Sequence, residues 1–133
     1  MRTIALAVIA FTIMLAAQPL QAADLADKVK VEIDSASLQS GMEPGTYLCA
    51  AGHLHIKSVV QNFADTTVRH VKVKADVFDA DGKLLGTATG STRGKPLAPY
   101  AKTEVHVEFL NVTGEAVDRV KRREIAVVEA PSL

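Results

Sequence analysis

The stretch from His70 to Leu84, HVKVKADVFDADGKL, decides the fold. Val71, Val73, Ala75 and Val77 alternate with Lys72, Lys74 and Asp76, a period of two that places the apolar set on one face of a β-strand. The run then breaks at Asp79-Ala80-Asp81-Gly82, a hairpin signal in which Asp79 can accept backbone N–H bonds and Gly82 can supply a positive φ. The same alternation recurs on either side. Leu54, Ile56, Ser58 and Val60 alternate with His53, His55, Lys57, Val59 and Gln61, and Val105, Val107 and Phe109 with Glu104, His106 and Glu108. Val29, Val31 and Ile33 form a first strand, and a last one runs over roughly Arg123 to Glu129. Leu84 to Thr92 is Thr-rich and interrupted by glycine, which predicts an edge strand with a bulge at Gly86 or Gly90. Ala23 to Lys28 and Gly114 to Arg119 are long enough only for helical turns. About seven short strands without a long helix predict an all-β fold, an antiparallel immunoglobulin-like β-sandwich. A small barrel is the alternative.

The chain has 133 residues and is 48% apolar, unevenly distributed. Residues 1–22 read as a secretory signal: Arg2 supplies the positive charge, Ile4 to Leu15 the apolar run, and Gln18-Pro19 a break before Ala22 and Ala23. Cleavage is expected after Ala22, with Ala23 as the alternative, and export to a periplasm or beyond the cell follows. The run is shorter than the ~20 apolar residues that span a bilayer. Residues 23–133 then make one domain, with 14 Lys and Arg against 15 Asp and Glu once Arg2 is removed. That near-neutral balance disfavours nucleic acid as a partner, because phosphate binding needs clustered cations. The local cluster Arg119-Val120-Lys121-Arg122-Arg123 reads as a solvated strand or turn, or else as a docking patch for an acidic partner.

From Leu54 to Phe109 the chain resembles the FxLYD domain and its relatives. The resemblance rests on Val59-Val60-Gln61-Asn62, on Val71 through Val77-Phe78-Asp79 to Gly82, on Leu97-Ala98-Pro99, and on Val105 to Phe109. In such domains a strand ends in a small residue and Asn, a longer one ends in an aromatic-Asp turn, and a Leu-x-Pro turn precedes a Phe-bearing strand. The resemblance implies an extracytoplasmic immunoglobulin-like sandwich with no common catalytic site. Val77-Phe78-Asp79 stands here where the family has Leu-Tyr-Asp.

The segment Cys49-Ala50-Ala51-Gly52-His53-Leu54-His55 carries the chemistry. Residues two apart on a strand share a face, so His53 and His55 project together about 6–7 Å apart. A turn at Gly52 would bring Cys49 round as a soft third ligand, with Met42 as a possible fourth, a set suited to copper or zinc. His70 or His106 could join if its strand neighbours this one. The plainer reading makes His53 and His55 solvent-facing and Cys49 a small buried residue, or a link to a second copy in a covalent homodimer. Asp79-x-Asp81 lacks the later Glu of a calcium loop. No Gly-x-Ser-x-Gly elbow, phosphate loop or oriented Cys–His dyad appears, so no enzymatic activity is expected. Two function classes follow: a non-enzymatic interaction module docking an envelope protein, and a periplasmic copper or zinc binder.

Overall fold

A computed structural model describes residues 23–133, so the signal reading of 1–22 lies outside the described residues. After a 3-10 turn at Ala26–Lys28 come β1 (Val29–Ile33), β2 (Thr46–Leu48), β3 (Leu54–Asn62), β4 (Lys72–Phe78), β5 (Leu84–Ser91), β6 (Lys102–Phe109), the short helix α1 (Glu115–Arg119) and β7 (Arg122–Glu129). Two antiparallel sheets form a β-sandwich. In the first, β3 is the spine, flanked on one edge by β1 and β2 end to end and on the other by β6. In the second, β4 lies between β5 and β7.

The valine alternation builds the core directly. Leu54, Ile56, Val60, Val105, Val107 and Phe109 face inward from the first sheet, and Val73, Ala75 and Val77 from the second, all buried. Each of the larger side chains contributes about 1.5–3 kcal/mol by leaving water. Val68, Val71, Leu97, Val112 and Ala130 close the ends of this cluster. The outward residues of β3 and β6 make the polar face on which the site is built.

The Asp79 turn forms as its residues dictate. Asp79 Oδ1 accepts the backbone N–H groups of Asp81 and Lys83 at 2.9 Å each, and Gly82 has φ +81°. The bulge in the β4–β5 pair leaves Leu85 out of register, since Phe78 pairs with Leu84 while Val77 pairs with Gly86. Gly90 has a different task from the one expected of it: a Cβ there would collide with the His106 carbonyl, so its missing side chain lets β5 close against β6. The strand β2 has no counterpart in the sequence pattern, because three residues are too few to display a period. Within the basic cluster, Arg123 donates to Pro44 O and Thr46 Oγ1, and Arg122 pairs with Glu124 and lies over the Phe78 ring at 4.1 Å. Those two arginines are engaged within the fold.

Asn62 is buried at the end of β3 with its amide fully used. Its Nδ2 donates to Thr66 O and Leu97 O at 2.9 and 3.0 Å, and its Oδ1 accepts the Ala64 N–H at 2.8 Å. It therefore ties the 63–67 loop and the Leu97 turn to the first sheet. Asn62→Ala strands these partners and is expected to cost about 2 kcal/mol or more, at 1–3 kcal/mol per buried polar group left unpaired. Urea unfolding checks this, and an unchanged midpoint would remove Asn62 from the framework.

Candidate metal centre

The site lies on the outer face of the first sheet, where the β2–β3 hairpin runs beside the end of β6. The hairpin is short and glycine-dependent. Gly52 N–H donates to Cys49 O at 2.9 Å, Cys49 N–H to His53 O at 3.1 Å, and Gly52 has φ +80°. A turn closed by a left-handed glycine is a common three-residue hairpin connection. It sets Cys49 opposite His53, and Tyr47 pairs with His55 two residues further on, on the same face. On the other side of β3, His55 pairs with Glu108 of β6. Antiparallel pairing thus gathers three strands' outward side chains at one end of the sheet.

The ligand atoms of Cys49, His55 and Glu108 all lie within 4.8 Å of one another. His53 Nδ1 is 2.9 Å from Glu108 Oε1, and His55 Nε2 is 3.6 Å from the same oxygen. The carboxylate is therefore shared between the two imidazoles that the sequence singles out. His53 sits in the turn, one residue ahead of β3; its Nδ1 reaches the same Glu108 oxygen, but it stands outside the 4.8 Å group formed by Cys49, His55 and Glu108. Around a tetrahedral zinc ion, bonds of 2.0–2.3 Å put neighbouring donors about 3.3–3.8 Å apart. Contraction by roughly 1 Å would bring the cluster to that spacing. Rotation of side chains that are only partly buried can supply it.

His55 carries the strongest signal. Its side chain is 14% exposed, and among the described residues both ring nitrogens are shielded from solvent and without a hydrogen-bond partner. Buried polar groups are ordinarily paired, and leaving one unpaired costs about 1–3 kcal/mol. Desolvation lowers its pKa, outweighing the opposing pull of Glu108, and His106 and His53 lower it further. The imidazole is thereby held neutral, the form that binds metals. Tyr47 stacks on it with ring centroids 4.8 Å apart, and Tyr47 Oη lies 2.9 Å from His106 Nδ1. Burial raises the Tyr47 pKa, with the charges of Cys49 and Glu108 adding to the effect. The tyrosine thus remains a neutral phenol wedged between two histidines.

The lowered His55 pKa has a consequence for stability. The unfolded imidazole, near 6.5, takes up a proton more readily than the folded one. Its contribution to stability is therefore complete above that value and is lost as pH falls through about 6.5 toward the folded pKa. Urea stability of the metal-free protein is expected to fall more steeply between pH 7 and pH 5 in wild type than in His55→Phe, which keeps the stacking on Tyr47. Equal slopes would contradict this.

Several expectations are revised by the geometry. Met42 packs against the hydrophobic cluster and lines a groove with Ile33, Leu54 and Val117, away from the outward face that carries the other ligands. It does not complete the set. Cys49 is half-buried on the outer face rather than enclosed as a small core residue. His106 does lie on the strand beside β3, but it faces Tyr47 and Glu104, with Nε2 3.5 Å from Glu104 Oε2. His70 pairs with Glu129 at the second sheet, with 3.1 Å between them. Glu108 and Tyr47 were not anticipated. Glu108 is visible in the sequence only as one more outward residue of β6, and its place beside His55 depends on the β3–β6 register.

These features define a small all-β domain with a mixed Cys/His/Glu cluster on one sheet face. No family model matches the chain, and no curated protein does. Among solved structures it is similar to a crystal structure of a DUF1425 family member from Shewanella sp. pv-4, with 19% identity over 78% of this chain and 99% of that one, and a TM-score of 0.43.

Proposed function

We propose that this protein is an exported, non-enzymatic metal-binding β-sandwich that takes zinc or copper through Cys49, His53, His55 and Glu108. The observation that carries the reading is His55, whose two unpartnered, solvent-shielded nitrogens sit beside a thiol and a carboxylate. A thiolate, two imidazoles and a carboxylate form a borderline set that suits Zn²⁺ or Cu²⁺, and the carboxylate favours either over Cu⁺. Glu108 is 43% exposed and His53 27%, so an ion here is reachable from solvent and exchangeable. The resemblance of Leu54 to Phe109 to FxLYD domains, which share no common catalytic site, and the signal-like residues 1–22 support a periplasmic or secreted carrier over an enzyme. Metal analysis of purified residues 23–133 tests this, with His53→Ala/His55→Ala as the control. Bound zinc or copper near one per chain, lost in the double variant, is expected. Negligible metal in both would sink the reading.

A second reading, an interaction module for another envelope protein, is favoured by an exposed aromatic pair at the opposite end of the same sheet. Phe63 and Tyr100 meet edge to face at 6.4 Å, and Lys30 Nζ lies 5.0 Å over the Phe63 ring. Tyr100 is 64% exposed and has φ +64°, a conformation that few non-glycine residues adopt. Capture of one envelope protein by the wild type that is lost in Phe63→Ser/Tyr100→Ser would support it. Equal capture by both would count against it.

A further inference from the structure

A groove of about 960 Å³ runs across the junction of β5 and β6, with His55 and Glu108 at its lining and Lys72, Arg93 and Lys95 gathered there as well. Among the described residues, these three cations make no ion pair and no side-chain hydrogen bond, and all are exposed. The acids of the groove are already engaged. Glu104 is paired with Lys57 and His106, and Glu108 with His53. With Glu104 offset by Lys57 and Glu108 only hydrogen-bonded to an imidazole, three cations stand against one carboxylate, and the net charge of the groove is positive.

Arg93 adds a separate observation. It has φ +52° and is followed by Gly94 at φ +72°, and the Lys95 N–H donates to Thr92 O at 3.2 Å. Two successive positive φ values are those of a type I′ turn, for which Asn-Gly is the favoured pair. An arginine in the first position carries a conformational cost that asparagine would avoid. Strained residues of this kind concentrate where a side chain is needed for binding.

We infer that this groove binds a small phosphate-bearing molecule, with Arg93 gripping the phosphate and Lys72 and Lys95 neutralising it. The guanidinium offers two parallel N–H donors that match phosphate oxygens, and the lysines act as mobile point charges. Ser91, which pairs with Lys72 across the β4–β5 ladder, lines the same groove and provides a hydroxyl donor. None of the three cations is a candidate metal ligand, but the groove shares His55 and Glu108 with the metal centre, so the test uses metal-free protein.

Calorimetric titration of metal-free residues 23–133 with inorganic phosphate and with glycerol phosphate tests it, at two salt concentrations. The wild type is expected to bind one molecule of the ester, more weakly at higher salt. Arg93→Asn and Lys95→Ala should each weaken binding at least about tenfold, and Lys83→Ala, which removes an exposed cation outside the groove, should leave it unchanged. Arg93→Asn supplies the internal check: its melting temperature should equal or exceed that of wild type, so lost affinity cannot be lost fold. Unchanged affinity in both cation variants would overturn the inference. Binding to phosphatidylglycerol vesicles with none to the soluble phosphates would also overturn it, by assigning the cations to a bilayer surface.

Discussion

Gly90→Val is expected to destabilise the protein by about 3 kcal/mol or more, because the new side chain has no direction in which to go. A Cβ at this position meets the His106 carbonyl and the Val105 side chain together. The first is backbone of β6, whose neighbours across the ladder on β3 are Lys57 and Ser58, so it cannot retreat without breaking the β3–β6 pairing. Overpacking in a core that can adjust costs about 1–3 kcal/mol, and a backbone obstacle puts this case at or above the top of that range. For a domain of this size the loss corresponds to a drop in melting temperature of roughly 12–20 °C. Gly86 offers a comparison. There the obstacles are side chains, chiefly Val112 and Phe109, so Gly86→Ala can be partly absorbed by repacking and should cost less than Gly90→Ala. Thermal melts of the three variants check both the magnitude and the order. A Gly90→Val protein that melts with wild type would refute the close contact of β5 with β6.

The second large effect is on metal affinity. Cys49→Ala removes the only thiolate available, and zinc affinity is expected to fall by at least about 100-fold, more than the 10–100-fold typical when an outer-shell partner is lost. His55→Phe should have an effect of the same size while preserving the stack on Tyr47. Glu108→Gln separates two roles of the carboxylate. If Glu108 is a ligand, the amide should reduce affinity by a similar factor; if it only orients His53 and His55, the loss should fall in the 10–100-fold range. His106→Ala is the control, since it touches Tyr47 and leaves the donor atoms in place. Competition against a chromophoric chelator at pH 7 measures all four. Affinity equal to wild type in Cys49→Ala and His55→Phe would exclude this cluster as the binding site.

The strands that set the fold were legible because β3, β4 and β6 each bury one face and expose the other, which writes a period of two into the sequence. The Asp79 turn was legible for a local reason as well, since its acceptor and its glycine lie within four residues. β2 was not, because Thr46-Tyr47-Leu48 owes its conformation to pairing with β3 and to the Gly52 turn rather than to any pattern of its own. The glycines of β5 illustrate the limit. Gly86 and Gly90 look alike in sequence, yet the bulge falls next to the first and the second is reserved for close contact with the backbone of β6 in the facing sheet. The site divides in the same way. Cys49, His53 and His55 are close in sequence and were found by spacing. Glu108 lies more than fifty residues away, and only the β3–β6 register delivers its carboxylate to the two imidazoles.

The most direct test of the metal centre is the absorption spectrum of residues 23–133 titrated with Co²⁺, a stand-in for zinc that reports its own ligands. Saturation at one ion per chain is expected, with intense visible d–d bands of a tetrahedral site and a near-ultraviolet thiolate-to-cobalt band that disappears in Cys49→Ser. A weak octahedral spectrum, identical in wild type and Cys49→Ser, would contradict it.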